Sequence, residues 1–304
     1  MSAYSIFARQ FMFSQAMGPN GPHFDSMGPT MVLSAIFYGG LGLGVAGLGV
    51  GSILTKRWAW RLALSLGWLW VLLIGLSAVS YSFLIPQAMS QVGALSSGAP
   101  GPSGPSVSPM GGSLGILMMG VVVTIVLLIY LMPGAILIVI YGMRSARVTC
   151  EHCDPNPRWT DAVPIPVLVL WLLFVVTAFG LVAFAPLYWG LIQIPGMPLR
   201  PPLATVAWAL ALPLLVFTAR ELGAMRLRGW WISVFLTILG SVVSVVWLSN
   251  YDIMQVYRDM NWPEEQLKSM ETLMSGLDLW IPAAAGGSIM IGYVFWLKRF
   301  FRSA

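Results

Sequence analysis

Seven apolar stretches, at about 30–54, 59–85, 114–142, 165–192, 203–220, 230–250 and 279–297, alternate with polar intervals along the chain. A helix needs about 20 apolar residues to cross the hydrocarbon core of a bilayer, and each stretch is close to that length. The pattern predicts an all-α polytopic membrane protein of about seven transmembrane helices. The polar intervals differ in kind. The one at 86–112 is rich in Gly, Ser and Pro, as in Gly98-Ala-Pro-Gly-Pro-Ser-Gly-Pro, a composition that builds no core and reads as a tether. The one at 251–278 contains Asn261-Trp-Pro-Glu-Glu265, a helix start, followed by Leu267, Met270, Leu273, Met274 and Leu277 at helical spacing. It predicts one extracytoplasmic amphipathic helix at about 261–277.

Spans one to three and five to seven repeat a sequence of features: an apolar span, a basic turn entering a Trp-bearing helix, a long interval after Tyr81 or Tyr251, and a closing span ending in Arg or Lys. Aligned on the basic residue, Arg57-Trp-Ala-Trp60 faces Arg228-Gly-Trp-Trp231. A parallel repeat of two three-helix units follows, with span four as connector. The expected organisation is an outer N-terminal segment at 1–28, a first unit at 29–147, an inner loop and connector at 148–202, and a second unit at 203–304.

Charge orients this arrangement. Twelve of the 16 Lys and Arg residues fall at span ends that share one side: Lys56, Arg57 and Arg61; Arg144, Arg147 and Arg158; Arg220, Arg226 and Arg228; Lys298, Arg299 and Arg302. The positive-inside rule then gives an N-terminus outside and a C-terminus inside. The net charge of +5 belongs to these clusters beside apolar segments and points to no nucleic-acid partner. With 58% hydrophobic and 9% charged residues, the lipid bilayer itself is the expected surrounding. Residues 1–28 lack a basic-led apolar core, so no cleaved signal is expected.

Few residues suggest chemistry. Cys150-Glu-His-Cys153 has the spacing of a metal or redox pair, but a closed zinc site needs four ligands and only His152, Glu151, Asp154 and Asp161 lie near. The two thiols are weak metal candidates, and neither metal nor cofactor is expected. Gly42-Leu-Gly-Val-Ala-Gly47 spells a dinucleotide fingerprint by letters, yet it lies inside an apolar span rather than a βαβ unit. Gly40, Gly44, Gly47 and Gly51 instead share one helix face, as do Ala284, Ser288 and Gly292, which predicts close helix packing. Between their boundary clusters the spans carry no Asp, Glu, Lys, Arg or His, which argues against proton relays, retinal and haem. No catalytic constellation is visible, and no enzyme is expected. In the inner loop, Trp159 reads as an interfacial anchor, Asp161 or Thr160 as a cap of the incoming span, and Pro164 and Pro166 as residues that aim that span; together they also offer a docking surface.

Arg57-Trp58-Ala59 leading to Trp68 and Trp70, Cys150-Glu151, Asp154-Pro155, Arg158-Trp-Thr-Asp161, Pro164-x-Pro166, Trp230-Trp231 and Tyr257-Arg258-x-Met260 carry a resemblance over most of the chain. It resembles a group of bacterial multi-pass inner-membrane proteins to which no activity is assigned. The resemblance implies a bacterial cytoplasmic membrane, and a second cysteine that such proteins do not always keep. The expected role is a scaffold or accessory subunit, with a membrane-protein partner or a second copy of the chain; the alternative is a channel or carrier for a neutral or lipidic solute.

Overall fold

The computed structural model describes residues 28–97, 109–183, 201–250, 267, 271 and 278–301. Every regular element among them is a helix: α1 Gly28–Ile53, α2 Arg57–Ser97, α3 Pro109–Gly142, α4 Arg144–Cys153, α5 Trp159–Ala162, α6 Ile165–Ala183, α7 Pro201–Gly223, α8 Leu227–Asn250, α9 Trp280–Trp296 and α10 Lys298–Phe301. Six are long and apolar enough to cross a membrane, within α1, α2, α3, α6, α8 and the α9–α10 stretch. The span expected at 203–220 is α7, whose side chains are described only at Val206 and from Ala209 onward. Of the amphipathic helix expected at 261–277, Leu267 and Glu271 are helical, and the rest lies outside the described residues, as do nearly all of 1–28 and residues 184–192.

Two expectations need correction. The interval at 86–112 is not loop at its ends, because α2 runs on through Pro86 to Ser97 and α3 begins at Pro109. At 1.5 Å per residue the 41 residues of α2 reach about 60 Å, well past a hydrocarbon core of about 30 Å. A proline costs a helix one hydrogen bond, and the helix formers after it (Gln87, Ala88, Met89) restore propagation. The Cys150/Cys153 segment is likewise no turn: it forms the last turn of α4.

Helix α2 is central, packing on α1, α3, α5, α6 and α9, while α6 joins it to α7. The main core gathers Val167, Leu168, Leu170 and Phe174 of α6, Leu215, Ala219 and Leu222 of α7, Trp230 and Val234 of α8, and Val294, Leu297 and Phe301 near the chain end. A smaller cluster holds Trp60, Leu64 and Cys150.

The two stretches that the sequence pairs as three-helix units contain matching joints. Helices α1 and α7 each end on a non-glycine residue in the left-handed region, Thr55 (φ 51°) and Met225 (φ 55°), 170 positions apart. Lys56 N–H returns to Gly51 O (2.9 Å) and Thr55 N–H to Ser52 O (3.0 Å); Arg226 N–H returns to Glu221 O (3.0 Å) and Met225 N–H to Leu222 O (3.0 Å). Both are Schellman motifs, which satisfy carbonyls that a helix end leaves free. Within the next helix the same offset pairs Trp60 with Trp230. Trp60 Nε1 donates to Tyr141 O (2.6 Å) in the last turn of α3, and Trp230 Nε1 donates to Val294 O (2.8 Å) in the last turn of α9. Each indole thus serves a carbonyl that lacks an intrahelical partner. Gly134 of α3 lies against Gly67 and Trp70 of α2, and Gly287 of α9 lies against Ser241 of α8. The register differs by one from the alignment on Arg57 and Arg228: Trp60 matches buried Trp230, and exposed Trp231 matches Arg61.

Candidate functional site

One end of the bundle carries the starts of α2, α6 and α8, helices α4 and α5, and the end of α9. Here the inner-loop residues come together. Asp161 sits at the third position of α5 and accepts the Arg158 N–H (2.9 Å), the backbone half of a capping box. Its carboxylate also lies 3.6 Å from Arg57 Nε and 3.5 Å from Arg61 Nε. One helical turn separates these arginines, so both face the same carboxylate. Arg61 Nη1 further donates to Thr160 O and to Val163 O, the latter at 3.0 Å, and Arg57 Nη1 donates to Pro155 O (3.2 Å). Arg57 and Arg61, legible in sequence only as topology markers, therefore clamp the connector to the first unit. Asp161, expected as a cap of the span that starts at 165, instead belongs to the capping box of α5, and it is also the counter-ion of the clamp.

The neighbouring residues divide by burial. Trp159 is half exposed and packs against Trp171 of α6, with ring centroids 5.2 Å apart and planes tilted by 57°, and Gly223 of α7 lies beside both rings. Pro164 O receives Val167 N–H (2.9 Å) and Leu168 N–H (3.0 Å), opening α6, and Pro166 O receives the Tyr293 hydroxyl of α9 (2.7 Å). A proline in a first helical turn sacrifices no hydrogen bond, so both fit where they stand. Asp154 and Glu221 are buried carboxylates: Asp154 lies 3.9 Å from Arg158, and Glu221 lies 2.9 Å from Arg226 and 3.8 Å from Arg228. Glu221 belongs to the α7–α8 joint, and its burial had no signal in a run of helix formers at a span end.

The two cysteines differ in burial. Cys150 is buried beside Trp60 and Leu64, whereas Cys153 is exposed, and both are free. Burial pushes the Cys150 thiol up, with the nearby Cys153 and Asp154 adding to it, while the Arg147 hydrogen bond holds the Glu151 carboxyl below its ordinary value. Among the described residues no group of three His, Cys, Asp or Glu side chains is placed to hold a metal ion. Since the thiolate is the reactive form, a maleimide should modify Cys153 quickly in the folded protein and Cys150 only after unfolding. Equal rates in a mass-spectrometric time course would refute the burial of Cys150.

The glycine faces split. A Cβ on Gly40 would run into Phe179 of α6, and one on Gly51 would come within 2.7 Å of Ala59 Cβ; at Gly44, Gly47 and Gly292 it would meet nothing within 4 Å. Ser288 returns its hydroxyl to Ala284 O (2.8 Å), within its own helix. A cavity of about 420 Å³ opens between α2, α6 and α9, lined by Trp68, Val71, Leu72, Ile165, Pro166, Val169, Tyr293 and Trp296.

Compared with known proteins, the chain matches no family model, no curated protein and no solved structure. It is an all-α, multi-pass membrane protein.

Proposed function

We propose that the chain is a non-catalytic scaffold or accessory subunit of an assembly in a bacterial inner membrane, with its N-terminus outside and its C-terminus inside. The observation that carries this is the seating of α1. Only 6% of its span Ala35–Ile53 is buried. It touches the bundle through Phe37 and Gly40 against Phe179, and again through Gly51 against Trp58 and Ala59. Between these points Gly44 and Gly47 stand open on the same face, and Gly42 and Gly49 stand open on the opposite one. An apolar side chain facing lipid needs no explanation, since lipid tails are as apolar as leucine. Backbone bared over two turns is different, because small residues let a second helix approach closely and gain packing contacts.

Gly44→Leu tests this in the full chain, purified in a mild detergent. The variant should unfold at the wild-type temperature, since a Cβ at this position has nothing within 4 Å, but lose the partner or second copy that accompanies the wild type. Unchanged assembly would sink the proposal. Cys153 reports orientation in the intact membrane: an impermeant maleimide should reach it in inside-out vesicles and not in intact cells.

The alternative, a channel or carrier for a neutral or lipidic solute, draws on the cavity between α2, α6 and α9. Its apolar lining favours the lipidic branch.

A further inference from the structure

We infer that the groove between α2, α6 and α9 binds one acyl chain of an acidic phospholipid, and that Arg299 holds the phosphate of its headgroup. The inference is independent of how α1 is partnered. The groove's volume, about 420 Å³, falls in the range of small-molecule sites, roughly 300–1,000 Å³. Its walls are the indoles of Trp68 and Trp296 with Val71, Leu72 and Val169 between them. The one hydroxyl in the lining, on Tyr293, is already given to Pro166 O, itself part of the lining, and this bond ties α9 to α6 across the groove. A polar ligand would have to leave its groups unpaired there, which is costly, while a hydrocarbon chain loses nothing.

The charge at the mouth selects the headgroup. The Arg299 guanidinium lies 3.9 Å over the ring of Trp296, a residue that lines the groove, and 4.8 Å over Phe300. Stacking fixes the plane of the guanidinium without using its N–H donors. No carboxylate among the described residues comes within ion-pair distance of it, as is also so for Arg144 and Arg220, whereas Arg57, Arg61, Arg147, Arg158, Arg226 and Arg228 each face one; of the three, Arg299 is the one stacked on a ring that lines the groove. Lys298, one residue earlier, is held over Trp230 and Trp231 at 5.1 and 5.6 Å and adds a second positive charge. A planar fork of donors matches a phosphate, and basic pockets between transmembrane helices recruit acidic headgroups. The groove starts where the basic residues are, so a lipid whose phosphate sits at that level has its chain beside Trp68 and Val71.

The test uses the full chain in mild detergent, titrated with phosphatidylglycerol or phosphatidylcholine and read by native mass spectrometry. The wild type should retain one phosphatidylglycerol in preference to phosphatidylcholine. Arg299→Gln should lower that preference about fivefold, the value of one cation near an anionic surface, and Val71→Trp should remove both lipids by filling the groove. A second readout does not depend on the folding of Val71→Trp. Phosphatidylglycerol brominated along its chains should quench the wild type more than the Trp68→Phe, Trp296→Phe double variant. Equal retention of the two lipids by the wild type, unchanged retention by folded Val71→Trp, or equal quenching of wild type and double variant would each overturn the site. So would a Val71→Trp protein that keeps its lipid but loses a second copy of the chain, which would make another helix the occupant.

Discussion

Trp230→Ala is expected to be among the most destabilising single changes in the chain, at about 3–5 kcal/mol, the range for truncating a large aromatic in a packed core. The side chain is fully buried, and its ring lies 4.6 Å from Trp231 and 5.9 Å from Phe295. Removing it opens a cavity among α7, α8 and α9 and strips Val294 O of its donor (2.8 Å). Two controls separate these effects. Trp230→Phe keeps most of the volume and should cost the order of one hydrogen bond, about 1 kcal/mol. Trp231→Ala, at an exposed position, should stay within about 0.5 kcal/mol. Thermal unfolding in detergent measures all three, and comparable losses at Trp230 and Trp231 would contradict both the burial and the register of the two units.

Gly229→Ala should destabilise by about 1–3 kcal/mol or more, and Gly229→Val by more still. A Cβ at Gly229 would stand 2.8 Å from Glu221 C, Glu221 Cβ and Leu222 N. Two of these are backbone atoms of α7, which cannot rotate aside as a side-chain tip can. The α7–α8 joint must open, and Glu221 then leaves Arg226 and Arg228. Glycine to alanine inside a helix otherwise gains about 1 kcal/mol from propensity, so the sign depends on which effect is larger. At Gly240 of α8 nothing lies within 4 Å, propensity alone acts, and Gly240→Ala should be neutral or stabilising. Loss of stability at Gly240 equal to that at Gly229 would show that the contact with α7 is not the cause.

Hydrophobic runs and the charges at their ends made the helices legible, with the start at Ile165 as expected and those at Arg57 and Leu227 two or three residues ahead of the expected 59 and 230, because bilayer thickness and helix rise fix how long such a run must be. Rotation about a helix axis was not legible. Spacing placed Gly40, Gly44, Gly47 and Gly51 on one face but could not say that only its ends meet a neighbour. The same limit applies to Cys150 and Cys153, three positions apart on α4, where a modest turn of the helix decides which thiol is buried. The inner loop was legible as residue types, with Asp161 as a cap, though of α5 rather than α6, and prolines opening α6. Its clamp was not, since nothing in the sequence joins Arg57 and Arg61 to a carboxylate about a hundred residues away. The groove also escaped, being assembled from three separated helices.

The two Schellman joints place their glycine on opposite helices. In the first, Gly51 of α1 faces Ala59 of α2; in the second, Glu221 of α7 faces Gly229 of α8. At each crossing one β-carbon is present and the facing position has none. A clash created by Gly51→Ala should be relieved in part by Ala59→Gly, which leaves the Trp58 ring 2.9 Å from the new carbon. At the second crossing no such exchange exists, because a β-carbon at 229 meets the backbone of α7 whatever side chain stands at 221. The first joint can therefore trade its glycine across the contact, whereas the second is tied to a glycine on α8.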